Sequence, residues 1–155
     1  MGIQQSDHQL VETSLKALRD SLSSLNEILK NQQYREFLLK QVGEIITSGK
    51  FTIEGLQILG EFVKSVFEDL SPYLKDFLPL LEPFMINTEN QDVCVSAMEI
   101  WENIAAECKE AANPPKVFTG ELGTKVVTLL LKNLYAMETE DFEGNEVSDS
   151  ASKAL

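Results

Sequence analysis

One histidine and two cysteines in 155 residues leave little with which to bind a soft metal. A tetrahedral nitrogen–sulfur site needs four ligands, and His8, Cys94 and Cys108 fall short of that number. On a single helix the two cysteines would lie roughly 21 Å apart at 1.5 Å per residue, far beyond disulfide reach. They read as small core residues of a protein kept in a reducing compartment. The chain also lacks a glycine-rich phosphate loop, a Cys-x-x-Cys, a His-Glu-x-x-His and any strand–turn–helix pattern that would present a nucleophile. Neither catalysis nor a cofactor is expected. His8, close to the first residue, reads as solvated, and neighbouring carboxylates such as Glu68 and Asp69 point apart on a helix. Basic residues are scarce, 13 against 25 acidic, and the net charge of -12 would repel a phosphate backbone. No apolar run approaches the roughly 20 residues of a membrane span, and the first residues carry no basic stretch followed by an apolar one. Nucleic acid and membrane are therefore not expected partners, and the expected location is cytosol or nucleus.

What remains is helical periodicity. With 43% hydrophobic and 25% charged residues the chain has the composition of a folded domain. Ser6 and Gln9 make a capping-box start, after which Leu10, Ser14, Ala17, Leu18, Ser21, Leu22, Leu25 and Leu29 recur at helical spacing. A polar break at residues 31–33 leads to Phe37, Leu38, Val42, Ile45 and Ile46, which stop at Ser48-Gly49. Leu56, Leu59, Phe62, Val63, Val66 and Phe67 form the next stripe, and Tyr73, Leu74, Phe77, Leu78, Leu81 and Phe84 follow Ser71-Pro72. Pro79 and Pro83 lie inside that last stripe and predict a kink or break. Val93, Ala97, Ile100, Trp101, Ile104 and Cys108 share one face of a fifth helix, and Leu122, Val126, Val127, Leu129, Leu130 and Leu134 mark a sixth.

The expected helices pair as 8–30 with 34–48, 51–70 with 73–86, and 91–111 with 119–136. Pairs recur about every 40 residues, the period of HEAT and armadillo repeats. The expected fold is therefore all-α, an α-solenoid of about three HEAT-type antiparallel pairs read as one segment over residues 1–155; a compact helical bundle is the alternative. An acidic loop is expected at 137–149, and the start of a further helix at 150–155.

Local words add a resemblance. Lys16-Ala17-Leu18-Arg19-Asp20-Ser21-Leu22, followed by Arg35-Glu36-Phe37-Leu38-Leu39-Lys40-Gln41-Val42-Gly43-Glu44, is similar to two successive helices of the importin-β nuclear transport receptors. Gly55-Leu56-Gln57 and Pro72-Tyr73-Leu74 resemble the helix and turn that come next in that family. Most specific is Ser96-Ala97-Met98-Glu99-Ile100-Trp101-Glu102-Asn103-Ile104, whose Glu-x-Trp-x-Asn resembles a distinctive family segment. The likeness spans nearly the whole chain but only a central part of such a receptor, so a segment of a longer protein is expected.

The resemblance implies a nuclear import receptor with first helices on the convex outside and second helices inside. It would bind Phe-Gly nucleoporins, importin-α or basic cargo, and the GTPase Ran, working in cytoplasm, nucleus and the pores of the nuclear envelope. For nucleoporins the candidate slot residues are Leu25, Leu29, Phe62, Val66 and Phe67, for which simple core packing is the alternative. For a basic partner the candidates are Glu138, Glu140, Asp141, Glu143 and Glu146, where the family carries an acidic loop. Here the stretch lacks the family's dense aspartate run and its tryptophan, and a solvated loop is the alternative. A HEAT scaffold of another complex, a vesicle coat or a phosphatase, is the competing function. Solenoid ends without capping repeats expose apolar faces, so self-association through them is expected.

Overall fold

The structure is a computed structural model that describes residues 2–86, 89–111 and 120–133, with side chains from residue 7. The described residues are helical or in turns, with no strand among them. The chain divides into two units, Met1–Lys116 and Val117–Leu155.

In the first unit α1 spans Gly2–Ser21 and begins before the expected Ser6–Gln9 cap, in a stretch that holds no proline to stop a helix. The expected long helix to residue 30 is broken instead. A 3-10 turn occupies Leu22–Leu25, and one α-turn, α2, covers Asn26–Leu29. The cause is local: the Ser21 hydroxyl donates to the Leu18 carbonyl at 2.8 Å, and two further serines follow in the turn, residues whose hydroxyls compete with the helix ladder. Helix α3, Gln32–Thr47, is capped by Asn31, whose side chain accepts from the Gln33 N–H at 2.9 Å. It ends at Ser48, and Gly49 takes φ 76, the left-handed conformation that lets the chain reverse.

Helix α4, Thr52–Leu70, is buried on more than one side: Leu56, Ile58, Leu59, Phe62, Val63 and Leu70 are all at most 2% exposed. A helix covered so widely is a central one, packed by several neighbours rather than through a single stripe. It has one interruption, at Val66, where φ is -140 and ψ is 34.

A 3-10 turn over Ser71–Tyr73 leads into α5, Leu74–Met85. The expected break at Pro79 and Pro83 does not occur, because the helix runs through both. The two prolines stand four residues apart on the exposed side, next to exposed Lys75, so the carbonyls of Lys75 and Pro79 that lose a donor face water. Helix α6, Gln91–Glu110, starts at Asn90, whose side chain accepts from the Val93 N–H at 3.2 Å.

Helix α4 lies between α1 and α6, its largest contact being with α6. Helix α3 packs against α4, and α5 against α6. Helices α1, α4 and α6 thus form a row. Gly55 permits the α3–α4 approach: a Cβ there would sit 2.8 Å from Ile46 Cγ1 and 3.2 Å from the Ile46 backbone nitrogen. Trp101, 1% exposed, is the largest fully buried side chain and shares its helix face with buried Ala97 and Ile104. His8, although exposed, tilts over Phe51 with ring centroids 4.7 Å apart.

In the second unit residues 121–133 are helical, preceded by Gly120 at φ 79. Lys125 and Glu121 pair at 2.7 Å along this helix.

Candidate functional site

The five residues expected to form an apolar slot do not line an open one. Leu29, Phe62, Val66 and Phe67 are buried, and Leu25 is half-buried in the 3-10 turn. Helical spacing assembled a stripe, but most of that stripe is spent on packing. Val66 and Phe67 reach the wall of a cleft of about 390 Å³ whose charged lining, Glu27, Lys30, Lys64, Glu68, Asp69, Glu107 and Glu110, carries more acid than base. The other expected site, Glu138, Glu140, Asp141, Glu143 and Glu146, lies outside the described residues, as does the segment 150–155.

Behind that cleft a buried cation ties three elements together. Arg35 is 7% exposed, and its Nη1 donates to the carbonyls of Leu29 at 2.8 Å and Lys30 at 3.1 Å. The same nitrogen lies 3.7 Å from Asp69 Oδ1 on α4. The guanidinium therefore satisfies the carbonyl end of α2 and reaches the last turn of α4, just beyond the Val66 break. At the next position of α3, Glu36 accepts from the Tyr73 hydroxyl at 2.9 Å and from Gln32 at 2.8 Å. These bonds, from Gln32 first and then Tyr73, hold the Glu36 carboxyl below the usual carboxylate range. The Tyr73 phenol is pushed up, chiefly by its bond to Glu36.

A second groove, of about 420 Å³, crosses the row of α1, α4 and α6. Arg19, Asp20 and Ser23 come from the end of α1 and the turn after it, Gln57, Gly60, Glu61 and Lys64 from one face of α4, and Ser96, Glu99 and Asn103 from α6. Leu56 and Ile100 form its floor. The cations are already engaged: Arg19 donates to Gln57 at 2.5 Å and pairs with Asp20 at 3.1 Å, and Lys64 pairs with Glu61 at 2.8 Å. Ser96, Glu99 and Asn103 hold no hydrogen-bond or ion-pair partner among the described residues. A Cβ at Gly60 would come within 3.3 Å of Asn103 Nδ2, so the bare glycine leaves the amide its place.

Both cysteine thiols are held in their protonated form. Burial pushes the Cys94 thiol up, and it donates to the Met85 carbonyl at 3.1 Å; burial and then Glu107 do the same to Cys108. Both are thiols rather than thiolates at neutral pH. Among the described residues no group of three or more His, Cys, Asp or Glu side chains is placed to hold a metal ion, and no helix is long and apolar enough to cross a membrane.

Two features of this surface escaped the periodicity, the buried Arg35 and the polar stripe on α6, and a third corrects it: Phe37, expected in the apolar stripe of its helix, is exposed beside Tyr34 on α3. Tyr34 is 59% and Phe37 65% exposed, three residues apart on one helix face. Only the α6 stripe had a sequence signal, since Glu99 and Asn103 are the polar letters of Glu-x-Trp-x-Asn. No family model, no curated protein and no solved structure matches the chain.

Proposed function

We propose that this chain is a segment of an α-solenoid of HEAT-type helix pairs that binds other proteins, as a nuclear import receptor of the importin-β kind does. The observation that carries the reading is a packing relation that occurs twice: α3, the second helix of one pair, covers α4, the first of the next, and α5 covers α6 in the same way. Helices α4 and α6 begin at Thr52 and Gln91, about 40 residues apart, the period of such repeats. A pair that cannot bury its own apolar face, and depends on the next pair to do so, is the unit of a stacked array.

On this reading the cell uses the protein at the nuclear pore, between cytoplasm and nucleus, with Phe-Gly nucleoporins, Ran and importin-α or basic cargo as partners. The apolar contact falls on α3 rather than on the expected slot, because Tyr34 and Phe37 are exposed whereas Phe62 and Phe67 are not. One inserted Phe side chain gains at most a few kcal/mol, so a Kd of about 10⁻⁴ M or weaker is expected, nearly independent of salt. The test is an NMR titration with a Phe-Gly peptide. Shifts centred on α3 that Phe37→Ser abolishes support the reading. Shifts that survive Phe37→Ser, or none at millimolar peptide, overturn the nucleoporin contact and leave a scaffold of another complex.

A further inference from the structure

We propose that Tyr73 is a site of tyrosine phosphorylation, and that its phosphate gives up Glu36 and takes the guanidinium of Arg35 instead. The site lies at the corner where α3 meets the turn between α4 and α5, and it needs none of the partners named above.

The sequence singles out Tyr73 among the three tyrosines. Glu68 and Asp69 precede it by five and four positions, whereas Tyr34 and Tyr135 have Lys30 and Lys132 before them and no acid within five positions. A kinase whose substrate groove is basic meets complementary charge only at Tyr73. The fold puts the phenol within reach. Tyr73 is half-buried in the 3-10 turn Ser71–Tyr73, which carries no side-chain cap, and Ser71 and Pro72 beside it are exposed. A single turn of poor hydrogen-bond geometry is the least costly kind of element to open for an enzyme.

The phenol also ties two elements, its hydroxyl donating to Glu36 on α3 at 2.9 Å. In the transfer the γ-phosphorus of ATP leaves the β,γ-bridging oxygen and bonds to the phenolic oxygen. ADP departs with the electron pair of the broken bond, and the phenol's proton goes to the general base of the kinase. The product oxygen has no hydrogen to donate, and a group of about -1.5 to -2 charge replaces a neutral one beside a carboxylate. The Glu36 contact becomes repulsive and opens.

Arg35 is the group that answers. It is 7% exposed; Nη1 holds the carbonyls of Leu29 and Lys30, while Nε is buried without a partner. Its ion pair with Asp69 is long, 3.7 Å, and that carboxylate is half-exposed, so it competes weakly. The guanidinium already acts on the Tyr73 phenol, opposing the upward push that Glu36 exerts. A phosphate brings several acceptor oxygens to a planar fork of N–H donors, the geometry in which charge-assisted hydrogen bonds are strongest. The turn before α5 thus stays tied to α3, one position earlier, while the last turn of α4 loses its hold on the cation.

The test treats the full chain with Mg-ATP and a purified tyrosine kinase that prefers acidic substrates, locates the phosphate by fragment mass spectrometry and titrates it by ³¹P NMR. Phosphate on Tyr73 is expected, lost in Tyr73→Phe and kept in Tyr34→Phe. Beside Arg35 it should release its second proton more readily in the folded chain than in the same chain in urea, by about 3-fold to 10-fold in the ionisation constant. Glu36→Gln, which removes the opposing charge, should widen that gap, and Arg35→Gln should close it, with thermal melts to show that each variant folds. If Arg35→Gln does not fold, the widening in Glu36→Gln decides. Amide exchange at residues 67–70 should quicken on phosphorylation. Transfer to Tyr34 or Tyr135 in place of Tyr73 overturns the proposal, as does a phosphate that ionises alike in the folded and urea-unfolded chain, or unchanged exchange at 67–70.

Discussion

Up to Ser65, α4 is a regular helix whose neighbours come close because Gly55 and Gly60 carry no side chain, whereas from Val66 to Leu70 the same helix is tied through Arg35 to the end of α2. The first half is specified by shape and the second by a buried cation that completes orphan carbonyls. Apolar fill sets how much stability is available. The polar tie, which satisfies groups that would otherwise cost free energy, sets where the last turn goes. The Val66 interruption stands at the boundary between the two regimes.

Four measurements sharpen this contrast. The largest effect is expected for Trp101→Ala, which empties the α6 core beside the first half of α4 and should cost about 3–5 kcal/mol in chemical denaturation. An unchanged unfolding midpoint would mean that shape does not govern that half. Gly55→Ala comes next: its Cβ would press on Ile46, including backbone, and overpacking of this kind costs about 1–3 kcal/mol, offset in part by better helix propensity. A more stable variant would break the close-approach argument.

In the second half, Arg35→Ala leaves two carbonyls without their donor, a loss of about 1–3 kcal/mol. Asp69→Asn should cost less, since that side chain is 43% exposed and its ion pair is long at 3.7 Å. Equal losses would move the weight of the tie from the carbonyls to the ion pair.

The smallest effect is a pH signature of the Tyr73–Glu36 bond. The folded Glu36 carboxyl titrates below its ordinary 4.5, so its contribution is present above that value and is lost as pH falls through the lower folded value. The Tyr73 phenol titrates above its ordinary 10.0, so its contribution is present below that value and is lost as pH rises through the higher folded one. This bond should therefore add no slope to the urea midpoint between these limits, while the thiols of Cys94 and Cys108, also pushed up, add their own fall above their ordinary 9.0. Tyr73→Phe should remove the alkaline edge and soften the acid one, where Gln32 still donates.

Much of the helical layout was legible in the residues. Helix α3 runs Gln32–Thr47 against the expected 34–48, and α6 runs Gln91–Glu110 against 91–111, because Asn31, Gly49 and Asn90 are strong end signals. The failures have physical causes. Ser21 split the first helix through a hydroxyl bond that periodicity does not record, and Pro79 and Pro83 were tolerated because both stand on the wet side of α5. Arg35 was missed because a lone arginine reads as surface until the carbonyls it meets are known. The slot residues failed for a deeper reason: a helix stripe looks the same whether it faces a partner or the interior, and Phe62 and Phe67 face the interior. Asn103 lay inside a word that had drawn notice, but its value depends on Gly60, which is remote in sequence and adjacent in space.

The packing of α1 on α4, α3 on α4, α4 on α6 and α5 on α6 also determines how the first unit comes apart. The packings of α3 on α4 and of α5 on α6 join helices adjacent in the chain and close with little loop entropy, whereas those of α1 on α4 and of α4 on α6 span the helices between them. Force applied along the row is carried in series, with α1 held mainly through α4. Amide exchange should therefore graduate from α1 towards α4, slowest where Leu56, Leu59 and Val63 are buried, rather than collapse in one step.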